Sequence, residues 1–187
     1  RLPTGKEIIA KIGECVIEPK YDGFRLQVHY SKAKKEVRLY SRNLEDVSYM
    51  YPDIIEGVRR EVKAREIIFE GEAIGFEPTS STFLPFQETV QRKRKHGIDE
   101  MAKEIPLKFF AFDVLYLNGK NLLQTPFRAR REGLLKAIKE GANVTKDTIL
   151  VAQGEIVGEE KKLELLFEDS LSKGLEGIVA KRLEGTY

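Results

Sequence analysis

Cysteine is almost missing from this 187-residue chain. Cys15 stands alone, which excludes an internal disulfide and any cysteine-based metal site. Histidine is nearly as scarce, and neither His29 nor His96 has a partner at a spacing that suggests a metal ligand or a general base. Both read as structural. Long apolar runs are absent: the longest, "FFAFDVLYL", is broken by Asp113 and is too short to cross a bilayer. The N-terminal "RLPTGKEIIAKIGE" has no apolar stretch of signal-peptide type. Charge of one sign is lacking as well. A net charge of +2 makes the chain no electrostatic magnet for nucleic acid, so such a partner would need a local patch or further domains.

What is present is the composition of a soluble globular protein, 41% hydrophobic and 33% charged. No repeat, linker or low-complexity tract interrupts it, so residues 1–187 read as one domain. An intracellular, cytoplasmic setting without a membrane follows from these absences. The start at Arg1 suggests a piece of a larger protein.

Thr4 and Glu7 form a capping box that opens a short helix to about Ile12. "CVIEPK", "FRLQVHY" and "EVRLYS" are strand-like, and the polar residues 31–35 join the last two as a hairpin. After Pro52, Ile54, Ile55, Val58 and Val62 recur at helical spacing. "EIIFEGEAIGF" is a strand, "PTSSTFLPF" a loop, and the basic run "RKRKH" over 92–96 a solvated helix face. "LKFFAFDVLYLNG" is a long buried strand ending in an Asn-Gly turn. A helix begins at Thr125-Pro126 and ends at Gly141; "TILVAQGEIV" is a strand; "EEKKLELLFEDSLSKG" is a helix stopped by Gly174; "EGIVAKRL" is the final strand. Strands outnumber helices, so the fold class is α+β, with mainly antiparallel sheets and helices packed outside.

Alternation puts Glu18 and Lys20 on one strand face with Val16, and Glu70 and Glu72 on one face of another strand. Buried charges cost several kcal/mol each unless they are paired or face a polar site. Charges repeated at strand ends therefore suggest a cleft between sheets; the plain alternative is that each strand runs out into solvent. Taken alone, "KYDG" is also a good turn sequence, because Asp-Gly favours positive φ.

In the order "KYDGFR", "YSRN", "FEGEA", "FFAFDVLYLNG" and "EGIVAK", these segments cover nearly the whole chain. Together they resemble the motifs of the adenylation (nucleotidyltransferase) domain of ATP-dependent DNA ligases, closest to the archaeal and replicative eukaryotic-like type. The resemblance implies an ATP-grasp-like fold in which the sheets form a nucleotide cleft. It also implies that the Lys20 amine attacks the α-phosphorus of ATP and carries AMP, which then passes to the 5′-phosphate of nicked double-stranded DNA for sealing by the 3′-hydroxyl.

By the same resemblance Glu18 reads the adenine edge and Phe112 stacks on adenine; Phe109 and Phe110 are core, as apolar aromatics in a buried strand usually are. Glu72 contacts the ribose and lies near a metal. Arg25 and Arg42 contact the nucleotide and the nick phosphate, a task suited to the planar, permanently charged guanidinium. Glu176 is the metal-associated carboxylate, with Mg²⁺ as the ion, and Lys181 grips the α-phosphate. Arg25, Lys181 and Mg²⁺ are the cations expected to favour a neutral Lys20 amine. Strict alternation would separate Glu176 from Lys181, so either Gly177 is bulged or the strand starts after it. Asp22 is assigned to turn support. An upstream DNA-binding domain and a downstream OB-fold domain are expected outside this span, so the isolated chain should bind ATP weakly and self-adenylate poorly or not at all. A monomer is expected, and a sliding clamp is a possible partner. The alternatives are an RNA ligase or mRNA-capping-type nucleotidyltransferase, and a non-catalytic nucleotide-binding module.

Overall fold

The computed structural model describes residues 4–140 and 144–187. Helix α1 (Gly5–Ile12) is capped as expected, the Thr4 hydroxyl accepting from Glu7 N–H at 3.2 Å. Strand β1 (Cys15–Pro19) leads through a turn to β2 (Phe24–Ser31), which forms a hairpin with β3 (Glu36–Tyr40). Helix α2 (Pro52–Glu61) starts on its proline and buries Ile54 and Val58. The long strands β4 (Glu66–Glu77) and β6 (Leu107–Leu117) bracket a short strand β5 (Thr82–Phe83) and helices α3 (Phe86–Thr89) and α4 (Ile98–Glu104). A left-handed Asn118-Gly119 pair turns the chain into β7 (Lys120–Asn121). The remaining elements are α5 (Phe127–Ala137), β8 (Ile149–Val151), β9 (Glu155–Val157), α6 (Glu160–Ser172) and β10 (Ile178–Arg182).

Two sheets result. The large one runs β3-β2-β4-β6-β7, with β5 on β4 and β8 on β6; the small one runs β10-β1-β9. Every pairing is antiparallel except β6 with β8, so the α+β reading with mainly antiparallel sheets holds. Helices α2 and α5 close the large core, where Ile54, Val58 and Leu134 meet Leu26, Phe69 and Phe109. Helices α1 and α6 cover the small sheet, packing Ile8, Ile12 and Leu163 on Cys15, Ile17 and Val157.

Several expectations are corrected. "TILVAQGEIV" is two strands in two sheets, because the chain leaves β6 after Val151 and reaches β1 only at Glu155. Gly154 makes the crossing possible: a Cβ there would lie 2.8 Å from the Arg131 guanidinium and 2.9 Å from Val16. Within "PTSSTFLPF", Thr82 and Phe83 pair with β4. In the run 92–96, residues 93–96 are exposed as expected, but they are not helical, and Arg92 is buried. A 3-10 turn ends at Arg92, which is 1% exposed and binds Asp53 through both terminal nitrogens at 2.8 and 2.6 Å. Helix α5 ends at Ala137, before the expected Gly141, which lies outside the described residues. Gly174 does stop α6, at φ +79.

Candidate active site

The two sheets face each other across a cleft of about 950 Å³, the size of a nucleotide pocket. Strand β1 brings Glu18 to its floor and releases Lys20 at its rim. The Lys20 backbone N–H donates to Gly177 O at 2.9 Å, tying the end of β1 to the entry of β10. Gly177 has φ +145 and β10 begins after it, which resolves the face of Glu176 and Lys181: both line the cleft. All eight residues expected at the site, Glu18, Lys20, Arg25, Arg42, Glu72, Phe112, Glu176 and Lys181, line this one cleft.

The turn between β1 and β2 works differently from the Asp-Gly expectation. Gly23 is not left-handed; its role is close approach, since a Cβ there would meet Ala73 O at 1.9 Å. That contact seats β2 against β4 and sets Arg25 opposite Glu72 in register.

The charges are paired in a specific way. The Lys20 ammonium contacts the Glu176 carboxylate, and both side chains are roughly half exposed. Arg25 contacts Glu70 and donates to the Tyr187 hydroxyl at 3.2 Å, with its guanidinium 5.5 Å from the Phe112 ring centre. Lys181 Nζ lies 2.7 Å from Glu18, donates to Phe112 O at 3.0 Å and sits 4.8 Å from the Phe112 ring centre. The cations nominated to act on Lys20 are thus held by other carboxylates, and a carboxylate is what touches Lys20. Arg42, on the loop after β3, lines the cleft and makes no ion pair among the described residues.

Burial also sets the protonation of the acids. The Glu72 carboxyl is pushed up to about 7, mainly by burial and further by Asp22, against the opposing pull of the Gly23 N–H, Arg25 and Lys93. Glu18, only 2% exposed, is pushed up by burial and by Asp113, while Lys181 and Arg131 pull it down.

Sequence reading missed four participants. Lys93 lines the cleft 5.1 Å from the Phe24 ring centre while staying exposed, a placement its basic run does not signal. Val179, on the same strand and two residues from Lys181, lines the cleft as well, and β-alternation could have found it. Tyr187 donates from its hydroxyl to the otherwise buried Glu70 at 2.5 Å. Arg131, from α5, reaches Glu18 at 3.3 Å from beneath, and nothing in the local pattern "RARRE" marks it. Glu70 itself is 2% exposed and sits behind the cleft, bonded to Gln27 at 3.0 Å, instead of lining it beside Glu72.

Among the described residues no group of three or more His, Cys, Asp or Glu side chains could hold a metal ion by itself. Glu72 and Glu176 are nevertheless two carboxylates on one cleft, and Mg²⁺ commonly takes one or two carboxylates together with substrate phosphate oxygens and water. That donor set fits an ion brought in with a polyphosphate. No helix among the described residues is long and apolar enough to cross a membrane.

Residues 2–187 match the family described as "ATP dependent DNA ligase domain". A "Probable DNA ligase" of Dictyoglomus turgidum is 46% identical over the whole chain, which spans 31% of that relative. The "DNA ligase" of Nanoarchaeum equitans is 47% identical over 92% of the chain, which spans 30% of it. The chain thus covers less than a third of the length of these relatives. Among solved structures, a mycobacterial DNA ligase D complexed with ATP and MES superposes with a TM-score of 0.63 at 29% identity, over 93% of this chain and 50% of that one. A Chlorella virus DNA ligase-adenylate shares the fold, with a TM-score of 0.60 at 16% identity over 92% of this chain and 56% of that one.

Proposed function

The chain belongs to the ATP-dependent DNA ligase domain family, and on that premise we propose that its cleft takes ATP and transfers AMP to Lys20 as the first step of sealing a nick in duplex DNA. The observation that carries the proposal is the position of Lys20. Its amine stands at the mouth of a nucleotide-sized cleft whose other walls supply an aromatic face, a buried carboxylate and several cations.

Adenine fits between the Phe112 face and the small sheet, where the buried Glu18 carboxylate can accept from the exocyclic amine. Glu72, opposite Arg25, is set for the ribose. Lys181, Arg25, Arg42 and Lys93 surround the space left for phosphates.

Lys20 is a nucleophile only as the neutral amine, so its ammonium has to part from Glu176, whose carboxylate favours the charged form, and give up one proton to solvent. The amine lone pair then forms a bond to the α-phosphorus, the bond to the bridging β-oxygen breaks, and pyrophosphate leaves with that electron pair. Loss of the remaining ammonium proton to solvent gives the phosphoramidate. Glu176 and Glu72 are the residues that would hold Mg²⁺, whose charge would neutralise the polyphosphate. Transfer of AMP to a 5′-phosphate and attack by the 3′-hydroxyl are assigned to the full-length protein, with its remaining domains, a monomeric state and any clamp contact included in that proposal.

Full-length protein incubated with α-labelled ATP should become covalently labelled, and Lys20→Ala should lose that label while remaining folded. Labelling by GTP alone would turn the proposal toward a capping-type enzyme. Equal labelling of the Lys20→Ala variant would overturn it.

A further inference from the structure

Glu18 is a buried acid whose two oxygens have different partners. Oε2 faces Lys181 at 2.7 Å and Oε1 faces Arg131 at 3.3 Å. The two cations differ in their freedom. Lys181 lines the cleft on a flexible stem, and the proposed reaction needs it at a phosphate. Arg131 does not line the cleft. Its side chain is 11% exposed and is fixed by Ala152 O at 3.1 Å and Glu140 at 3.1 Å. Gly154 leaves only enough room for the guanidinium, as a Cβ there would lie 2.8 Å from it.

We infer that Arg131 is a positioning residue for nucleotide selection: it is the fixed counter-ion that holds Glu18 ionised and aimed at the purine while Lys181 is engaged with phosphate. The inference rests on the cleft taking ATP. An ionised carboxylate has acceptor capacity left on both oxygens after one ion pair at each, so Glu18 can still receive the adenine amine. Protonated, it would present a donor and suit a 6-oxo purine instead. Left in this buried place with Asp113 near and Lys181 drawn away, Glu18 has no other fixed cation among the described residues to keep it charged; Tyr21, a titratable neighbour, is itself pushed up by burial and stays neutral. Arg131 therefore acts through Glu18 and does not touch the nucleotide.

The test uses the full-length protein and follows adenylate formation against ATP concentration. Arg131→Met should raise the half-saturating ATP concentration by about tenfold or more, with the maximal rate within about twofold of wild type, because a charge-assisted contact to the binding acid is lost and no reacting group is touched. Preference for ATP over GTP should fall with it, and Arg131→Lys should restore part of both. On a Glu18→Gln background Arg131→Met should add nothing, since a neutral amide needs no counter-ion. Should the methionine variant fail to fold, Arg131→Lys decides alone, by raising half-saturation on the wild-type background and leaving Glu18→Gln unchanged. Labelled wild type with an unchanged half-saturation in the variants, or full additivity with Glu18→Gln, overturns the inference alone. Wild type that takes no label from ATP overturns the ligase reading and this inference with it.

Discussion

Burial holds the Glu72 carboxyl near neutrality, pushed up to about 7 from its ordinary 4.5. The folded protein therefore binds this proton more tightly than the unfolded chain does. Its contribution to stability is complete below about 4.5 and is lost as the pH rises through 7. In buffer free of divalent cations, Glu72→Gln should remove that component: urea unfolding should lose less stability between these two pH values than wild type does. An unchanged slope would show that Glu72 is solvated and not a member of the dry cleft wall. At Lys20 the controlling neighbour is Glu176. Glu176→Gln frees the amine from an ion pair but removes a proposed metal ligand, so it should lower the rate of adenylate formation at saturating Mg²⁺, measured by label uptake. An increase would mean that the pair only restrains Lys20.

Among the elements, the turn ending at Arg92 departs furthest from the sequence pattern. Arg92 binds Asp53, at the start of α2, and also donates to Ile105 O at 2.7 Å, so it links three segments. Removing one partner of such a pair leaves a charge without its counter-ion; Arg92→Met should cost about 3–5 kcal/mol and lower the melting temperature accordingly. A surface arginine would give no measurable shift. The close approach at Gly23 gives a second check. Gly23→Ala should force β2 from β4, cost about 1–3 kcal/mol and abolish labelling, because Lys20 and Arg25 flank the contact. Helix α2 is legible in the sequence from the helical spacing of its buried residues, and β6 from a nearly continuous apolar run that the structure buries. The burial of Arg92 is not legible because its partner Asp53 lies 39 residues away, and charge patterning sees only neighbours; Lys93 to His96 are exposed as that pattern expects. "TILVAQGEIV" was read as one strand because alternation is blind to which sheet a strand joins.

At the scale of the whole molecule, a small net charge conceals a concentrated site. Lys20, Arg25, Arg42, Lys93 and Lys181 share the cleft with Glu18, Asp22, Glu45, Glu72 and Glu176, and most of the cations already have an acidic neighbour. The eight expected site residues all meet there, although they come from strands of two sheets and from the segments that flank them. Their partners were not legible, because Arg131 and Tyr187 reach Glu18 and Glu70 only through the packing of α5 and of the segment after β10. In the proposed reaction, phosphates entering this cleft would have to exchange with existing ion pairs, and the Lys20–Glu176 pair at its mouth would decide whether the amine is released. The most direct measurement is mass spectrometry of full-length protein after incubation with ATP and Mg²⁺. One AMP bound through nitrogen to Lys20 is the expected result; AMP on another residue, with Lys20 unmodified in protein that still seals nicks, would contradict it.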